Sequence, residues 1–531
     1  VTSIFYASAN GDGITRQIVV TPPLGSSSIF YTDDEWRVKE FEEFDAEGYP
    51  VTTSISIDYA GKPLSIIDAL GQVSTFEYDK LGRLTRAQDA GGRFITNTWR
   101  LGKLLSSTIG KNGDTTTATT TFDYDPQMTT LHIKDPMNRV VEGYTLDAAG
   151  RVIAVTNIDG LTMTISRGVL GMQKEVKRFD GIDINFEYNS KGELSSQRSP
   201  TRTNNYLYWG NGLLKSITSR NNFVSFNYDV WNRLTNFTTV VGGRTNINSY
   251  DYDNFGNLTV QTNGADVATY AYDDNERLSS ISHATNNVGT FNYIYDDFRG
   301  NLSCVSNTAT QFRTEYEYDL LGRVTGIVYR NGGGVVLRSI EYSYDASGLI
   351  TNKIVLGTGM MSQASSYTYD ALGQLISERT PGFVTNTYTY NAAGNRTSAV
   401  LKGVSCSYTT PAAHNRLASW TGGGSMNYNT GGCVTNFNRA NKVDISSLSW
   451  NCVYQLTDAV VGSSSVAYTY DVMGRKASRT QGGVTEHYLY DEDHVVADTD
   501  NNGSFLRTYT YGPEIDDILS MTDHTSTSTT T

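Results

Sequence analysis

A seven-residue motif, Tyr-Asp-x-x-Gly-Arg-Leu, recurs along most of this 531-residue chain and constrains its fold more than any other feature. Clear copies are Tyr78–Leu84, Tyr318–Val324, Tyr369–Leu375 and Tyr470–Lys476. From Asp229 to Asp370, successive copies lie 20 to 26 residues apart. A period in the low twenties indicates one supersecondary unit per repeat.

The local pattern of each repeat predicts a β-hairpin. In Asn386–Ser398, the residues before the motif alternate with period two, as in a strand. The motif Asp, or Asn391 here, can accept a hydrogen bond from the backbone N–H two residues later and so begin a turn. Gly394 follows three residues later, where such a turn needs positive φ, and a second strand comes next.

Substitutions within the motif test this interpretation. Asn232 replaces the motif glycine in one copy, and Asn391 replaces the motif aspartate in another. Asn tolerates left-handed backbone better than other non-glycine residues and also forms Asx turns, so both changes preserve the turn. Glu276 replaces the glycine in a third copy, and the sequence therefore predicts a distorted turn there.

Tandem hairpins of this size predict an all-β fold. Glycine (50) and tyrosine (35) are abundant and 11% of the residues are aromatic, which disfavours both a helical bundle and wholesale disorder. A lone hairpin is barely stable in water, so neighbouring units must support one another. Because strands twist, the expected result is one continuous, spiralling antiparallel sheet, a partial β-cage or cocoon wall, rather than several separate globules.

The repeated residues are predicted to have structural roles in the turns. We expect the tyrosine rings to lie beside one another across strands with wet hydroxyls, or alternatively to form a stacking platform for sugars. The arginines are expected to pair with the aspartate of their own or the next unit. The predicted turn residues are Tyr78, Asp79, Gly82, Arg83, Tyr318, Asp319, Gly322, Arg323, Tyr369, Asp370, Gly373, Tyr470, Asp471, Gly474 and Arg475.

Charge and motif content predict no catalytic, cofactor-binding or metal-binding residues. The net charge of −13, without a basic block, disfavours a nucleic-acid partner. Adjacent acidic pairs such as Asp273–Asp274 point to opposite faces of a strand, which disfavours a glycosidase site. No apolar run is long enough for a membrane span. Cysteines 304, 406, 433 and 452 lack the spacing of a zinc or redox motif and are expected to be free thiols.

The repeated motif resembles the YD repeat of the RHS/YD-repeat family, which includes bacterial Rhs toxins, the C subunits of insecticidal Tc toxins and the teneurins. This resemblance implies a hollow β-sheet shell around a C-terminal toxin domain that a self-cleaving core releases. It divides the chain into a divergent N-terminal repeat region (1–40), a repeat array (41–515) and the start of a truncated core with a flexible tail (516–531). The stretch 488–519 resembles the lead-in to that core.

The leading functional hypothesis is therefore a non-enzymatic shell segment of a secreted or cell-surface bacterial protein. Its expected partner is its own C-terminal toxin or core region. The alternative is an extracellular adhesion module that binds surface glycans or another protein through the tyrosine-rich face. A sugar-active enzyme is a third, minor alternative, and it would need carboxylates that converge from distant repeats.

Overall fold

The hairpin pattern predicted from the sequence is present throughout the residues that the computed structural model describes. The model describes residues 3–8, 16–21, 27–33, 35–44, 50–220, 222–264, 266–284, 288–297, 299–382, 384–411, 413–439, 444–514 and 517–525. Every regular element in these ranges is a β-strand. Each strand pairs antiparallel with its neighbours in sequence. The predicted tail, 526–531, lies outside the described residues.

Twenty-six strands make up the N-terminal half of the sheet. They are β1 (Ser3–Ser8), β2 (Arg16–Thr21), β3 (Ser28–Thr32), β4 (Val38–Phe44), β5 (Pro50–Ile57), β6 (Pro63–Ile67), β7 (Val73–Tyr78), β8 (Leu84–Gln88), β9 (Arg93–Arg100), β10 (Lys103–Lys111), β11 (Thr117–Tyr124), β12 (Thr130–Lys134), β13 (Val140–Leu146), β14 (Val152–Asn157), β15 (Thr162–Arg167), β16 (Gln173–Lys177), β17 (Asp183–Tyr188), β18 (Leu194–Arg198), β19 (Thr203–Tyr208), β20 (Leu214–Ser219), β21 (Asn222–Tyr228), β22 (Leu234–Val241), β23 (Arg244–Tyr252), β24 (Leu258–Thr262), β25 (Val267–Tyr272) and β26 (Leu278–His283).

The remaining strands continue the same sheet. They are β27 (Thr290–Tyr295), β28 (Leu302–Asn307), β29 (Arg313–Tyr318), β30 (Val324–Arg330), β31 (Val336–Tyr344), β32 (Ile350–Gly357), β33 (Gln363–Tyr369), β34 (Leu375–Thr380), β35 (Val384–Tyr390), β36 (Arg396–Leu401), β37 (Val404–Thr409), β38 (Ser419–Trp420), β39 (Gly424–Tyr428), β40 (Val434–Asn438), β41 (Ile445–Trp450), β42 (Leu456–Val461), β43 (Ser464–Tyr470), β44 (Lys476–Gln481), β45 (Val484–Asp491), β46 (His494–Thr499), β47 (Phe505–Tyr511) and β48 (Ile518–Asp523).

These strands form one sheet of a single layer. The accessible surface is 29045 Å², whereas a compact 58.4 kDa monomer exposes about 19,000 Å². The excess is expected when both faces of a sheet stay accessible along much of its length. The sheet is not closed, because among the described strands β1 and β48 each have one partner. The predicted all-β fold with a continuous antiparallel sheet is confirmed.

The two ends of the strands form two different rims. The motif turns join odd-numbered strands to the following even-numbered ones, as Asp79–Arg83 joins β7 to β8. The link turns join even-numbered strands to odd-numbered ones, as Asp89–Arg93 joins β8 to β9. We call the two edges of the ribbon the motif rim and the link rim.

A motif turn is held by two backbone hydrogen bonds. Asp79 N–H donates to the Arg83 carbonyl at 3.0 Å, and Gly82 N–H donates to the Asp79 carbonyl at 2.8 Å. Gly82 has a φ of 73°, in the left-handed region that favours glycine. A β-bulge between Glu77 and Tyr78 sets the register beside the turn, and similar bulges recur at other motif tyrosines.

The substituted turns keep this geometry. Asn232 has a φ of 67°, as predicted for an asparagine that replaces the glycine. The predicted distortion at Glu276 is wrong: its φ is 62°, and its N–H donates to the Asp273 carbonyl at 2.9 Å. The Asp273 carboxylate also accepts the N–H groups of Asn275 and Arg277. These bonds offset the about 1–2 kcal/mol that left-handed backbone costs a non-glycine residue.

The ribbon winds back onto itself. Side chains in the first half contact residues about one winding later in the chain, as Arg93 contacts Asp370 (277 residues apart) and Gln261 contacts Asp491 (230 apart). The described strands therefore make roughly two windings. We call β1–β26 the first winding, β27–β48 the second winding, and the line where they meet the seam.

The regular geometry at Glu276 leads to a stability prediction. Replacing Glu276 with glycine should raise the free energy of unfolding by about 1 kcal/mol, because it removes the left-handed penalty and keeps the turn. Gly322→Ala is the matched control: a Cβ there meets nothing within 4 Å, so an expected loss of about 1 kcal/mol would come from its positive φ alone. Urea denaturation followed by tryptophan fluorescence measures both. A Glu276→Gly variant less stable than wild type would contradict the prediction.

Candidate functional site

The motif aspartate organises each motif turn. At Asp319, Oδ1 accepts the N–H of Leu321 at 2.9 Å and of Arg323 at 3.0 Å. The first of these is the predicted Asx-type bond to the residue two positions later. At Asp79, the hydrogen bond from the Arg83 side chain holds the pKa of the carboxyl below its ordinary value. The carboxylate therefore stays charged and bonded at neutral pH.

The motif arginine connects its own turn to the next hairpin. Arg323 Nε donates to Asp319 Oδ2 at 2.6 Å, and its guanidinium lies 4.6 Å from the ring centroid of Tyr344, the following motif tyrosine. Arg233 does the same over Tyr252 at 4.8 Å. The arginines thus pair with the aspartate of their own unit. The tyrosine ring of the next unit packs against this arginine guanidinium, whereas the sequence predicted that it would lie beside another tyrosine ring. Such a contact contributes about 0.5–1 kcal/mol at partly exposed sites.

The motif tyrosine completes the connection through its hydroxyl. Tyr344 Oη donates at 2.6 Å to the carbonyl of Val324, the residue after the arginine that covers the Tyr344 ring. The expectation of wet hydroxyls is therefore wrong, because the preceding hairpin presents a carbonyl within reach. The same bond is made by Tyr208, Tyr252, Tyr272, Tyr295, Tyr318, Tyr369, Tyr390, Tyr428, Tyr470 and Tyr511.

Two tryptophans take the tyrosine role, which sequence reasoning missed. Trp99 Nε1 donates to the Leu84 carbonyl at 2.9 Å, beneath the Arg83 guanidinium. Trp450 Nε1 donates to the Val434 carbonyl at 2.7 Å. A search for an aromatic N–H or O–H donor at the motif tyrosine position would have found both. We call this whole unit, formed by Asp, Arg and the next Tyr or Trp, the clasp.

The structure spreads the predicted turn residues along one rim and does not gather them into a pocket. Tyr318, Tyr369 and Tyr470 make clasp bonds, and Tyr78 lies under the Lys62 ammonium at 5.3 Å. The four glycines at positions 82, 322, 373 and 474 have positive φ. Arg83, Arg323 and Arg475 each bond the aspartate of their own turn, at residues 79, 319 and 471. Asp370 is followed by Gln374 at the arginine position.

The seam is the second candidate site. Link-turn arginines of the first winding reach the motif rim of the second winding: Arg93 donates to the Asp370 carbonyl at 3.3 Å and Arg202 to the Asp471 carbonyl at 2.9 Å. The Arg178 guanidinium lies 3.5 Å from the Tyr454 ring centroid. These contacts are made by side chains, so the seam is not a continuation of the hydrogen-bonded ladder.

The Asp491 carboxylate lies at the centre of the seam near the C-terminal end. It is 2% exposed and accepts hydrogen bonds from Tyr250 Oη and Gln261 Nε2 of the first winding. Asn246 and Asn248 donate to the adjacent Tyr490 carbonyl at 2.7 and 2.9 Å. Burial, opposed by the hydrogen bonds from Tyr250 and Gln261 and assisted by the nearby Glu492 carboxylate, raises the pKa of Asp491 to about 6. These residues fasten the β45–β46 turn to the face of β23 and β24.

Apolar packing supports this part of the seam. Val472 of the second winding is buried with Ile217, Val224 and Phe237 of the first. Further along, Leu519 packs on the buried cluster that includes Ile281 and Phe291. The predicted final segment, 516–531, thus contributes β48 to the same structure.

The described residues hold no group of three or more His, Cys, Asp or Glu side chains that could bind a metal. Cysteines 304, 406, 433 and 452 are free thiols. None of the elements in the described ranges is a helix long and apolar enough to cross a membrane.

Comparison with known proteins agrees with this geometry. Residues 286–511 match the family model of the teneurin YD-shell, and residues 58–93 match that of the RHS repeat. The resemblance to RHS/YD-repeat proteins is confirmed. The motif turns at Asp79 and Asp319 lie within the matched ranges, and so does the clasp that joins Asp319 and Arg323 to Tyr344.

Solved structures show the same fold. The crystal structure of TcdB2-TccC3 covers 94% of this chain at 14% identity with a TM-score of 0.61. The Photorhabdus luminescens Tc holotoxin pore covers 96% at 14% identity with a TM-score of 0.61. This chain spans only 35% and 34% of those chains. Double-stranded DNA deaminase toxin A of Burkholderia cenocepacia (strain H111) is 22% identical over 307 residues, which are 56% of this chain and 19% of that protein.

The clasp leads to a mutational prediction. Tyr252→Phe removes the hydroxyl that donates to the Leu234 carbonyl at 2.8 Å and should lower the free energy of unfolding by about 1–2 kcal/mol. Tyr59→Phe removes a hydroxyl from a fully exposed side chain and should change stability by less than about 0.5 kcal/mol. Urea denaturation compares the two. Equal effects would mean that the clasp bond contributes nothing.

Asp491 leads to a prediction of pH dependence. Its pKa in the folded chain, about 6, lies above its ordinary 3.8, so the folded state binds its proton more tightly than the unfolded state. The stabilisation from this carboxyl is fully present below about pH 4 and is lost as the pH rises through 6, by at most about 3 kcal/mol. Denaturant midpoints from pH 5 to 8 should therefore fall more steeply in wild type than in Asp491→Asn.

The matched control for this prediction is Asp79→Asn. The pKa of Asp79 lies below its ordinary value, so its titration falls outside the window from pH 5 to 8. This variant should keep the wild-type slope even if its stability is lower at every pH. Wild-type and Asp491→Asn slopes that agree would show that the seam carboxyl does not titrate in this range.

Proposed function

We propose that this chain is a wall segment of an RHS/YD-repeat shell, which separates an enclosed polypeptide from its surroundings and performs no chemistry itself. The observation that carries the proposal is the continuous, single-layer ribbon that winds roughly twice and is fastened to itself along a seam. A single-layer wall of this kind encloses a given volume with few residues, because few of them are buried in a solid core. We infer that the protein acts outside the bacterial cell or at its surface.

The seam supports this proposal because a shell must close between its windings. Along the strands, backbone hydrogen bonds form the barrier, and between the windings Arg93, Arg178 and Arg202 reach the opposite rim. The buried cluster around Val472 and Val224 fills the space between these polar contacts. A binding module that displays one face would not need two windings held together.

The adhesion alternative receives less support. A sugar-stacking platform needs free aromatic faces. The Tyr252 and Tyr344 rings are covered by the Arg233 and Arg323 guanidinium groups, and their hydroxyls are bonded to backbone carbonyls. The residues that suggested a tyrosine platform are thus engaged in holding hairpins together. Binding of the purified chain to a glycan array would favour this alternative.

A protection assay tests the proposal. An unstructured, protease-sensitive guest polypeptide is fused after Thr531, and its digestion is followed with and without the folded chain. If the chain acts as a wall, the guest should be digested at least about tenfold more slowly than the free guest. The double variant Arg93→Ala/Arg202→Ala, which removes two seam contacts, should reduce that protection.

Arg338→Ala is the matched control, because Arg338 is an exposed arginine on β31. It should leave protection unchanged, and circular dichroism should show the strand content of every variant. A fused guest that is digested as fast as the free guest would contradict the wall proposal. Equal protection in the seam and control variants would contradict the role of the seam.

A further inference from the structure

A cavity of about 300 Å³ lies in the seam, between β17–β19 of the first winding and two turns of the second. Gln197, Arg202 and Asn204 belong to its first-winding wall. Val472 and Met473, at the tip of a motif turn, belong to the opposite wall. Cavities that hold small molecules measure about 300–1,000 Å³, so a compact ligand fits between the two windings.

The strand register places the polar side chains of the first-winding wall next to one another. Arg202 and Asn204 are two positions apart at the start of β19, so they point to the same face of the sheet. Gln197 of β18 lies directly opposite Asn204 in the ladder, where Cβ atoms are about 4.5–5.5 Å apart. Arg202 Nε donates to Asn204 Oδ1 at 2.9 Å, which fixes the orientation of that amide.

Three side-chain nitrogens on this wall have no acceptor among the described residues. Arg202 bonds Asn204 through Nε and the Asp471 carbonyl through Nη2, which leaves Nη1. Asn204 is only 8% exposed, and its Nδ2 is left because its Oδ1 is the bonded atom. Gln197 Oε1 accepts the Tyr206 hydroxyl at 3.2 Å, which leaves Nε2. Buried donors normally have partners, so this wall is suited to a ligand that brings acceptor atoms.

The cavity also carries an unbalanced positive charge. Among the described residues, Arg202 is the one charged residue in the lining, and no carboxylate forms an ion pair with it. The opposite wall supplies no acceptor in its place, because the Gln455 amide donates to the Gly474 carbonyl and accepts from Asn451. One positive charge surrounded by N–H donors favours a ligand with one negative charge.

We propose that this seam cavity binds a carboxylate. One carboxylate oxygen would accept from Arg202 Nη1 and the other from Asn204 Nδ2 or Gln197 Nε2, since guanidinium and amide N–H groups suit a planar pair of oxygens. Ile184 and Val472 would contact the organic part of the ligand. A phosphate dianion fits less well, because its second negative charge would have no cation.

A carboxylate bound here would join the two windings. Its oxygens would contact Arg202 of the first winding, and its organic part would pack on Val472 and Met473 of the second. Binding should therefore stabilise the closed seam as the ligand concentration rises. This inference goes beyond the proposed function, because a wall needs no ligand to separate two volumes. It is tested on the chain without a guest, so its failure would leave the wall proposal standing.

Titration of the purified chain with benzoate at low ionic strength, followed by ligand-observed NMR, tests this inference. Benzamide has the same shape without the charge and should bind at least about tenfold more weakly. A free organic acid and an acidic side chain of a polypeptide share this chemistry, so a blocked glutamate, N-acetylglutamic acid α-methylamide, is the second probe. The tighter of the two carboxylates assigns the source. Benzamide that binds as well as both carboxylates, or inorganic phosphate that binds more tightly than both, would overturn the proposal.

Variants of the first-winding wall locate the bound probe. Arg202→Met removes the charge and should weaken benzoate binding about ten- to hundredfold. Because this change also removes a seam contact, Gln197→Leu is the second variant: it removes one neutral donor and should weaken binding about two- to tenfold. Arg338→Met, at an exposed arginine on β31, is the matched control and should bind like wild type. Equal affinity in all three variants would place the probe elsewhere and refute the seam site.

Discussion

The clasp between successive hairpins is the interaction on which the rest of the molecule depends. An arginine bonded to its own turn aspartate covers the ring of the next aromatic residue, whose hydroxyl or indole N–H bonds the backbone just after that arginine. Arg323, Val324 and Tyr344 show all of these contacts in one place. A two-stranded hairpin has no core of its own, so stability comes from such nearest-neighbour contacts. The residues that recur in the motif are therefore those that make contacts between successive hairpins.

The seam follows from the clasp together with strand twist. A ribbon in which successive hairpins are joined by the same bond from an aromatic side chain to a backbone carbonyl curves regularly, and regular curvature returns its later turns to its earlier ones. Residues at that meeting, such as Arg202 and Asp491, do not belong to the repeated pattern of contacts. They determine how one winding lies on another, and the apolar clusters of the molecule form there.

Much of the fold could be predicted from the sequence because its main signals are local. The Asx bond at Asp319 and the positive φ at Gly322 depend on residues within one turn. The hydroxyl acceptor of Tyr344 could not be inferred, because it depends on the stagger between hairpins. The partners of Arg202 and Asp491 lie more than 200 residues away in the sequence. This sequence separation is determined by the curvature of the ribbon, which the sequence pattern does not specify. The regular turn at Glu276 shows that neighbouring bonds can outweigh a residue's intrinsic preference.

Pairing of each strand only with its sequence neighbours bears on how such a wall is assembled. No described strand needs a distant segment of the chain as its pairing partner, and contacts between residues close in sequence form quickly. The ribbon can therefore grow from one end, hairpin by hairpin, while the remaining chain is still extended. A polypeptide that emerges gradually from a ribosome or a narrow export channel could therefore fold hairpin by hairpin as it emerges. The seam contacts would form only after about one further winding of the chain has emerged.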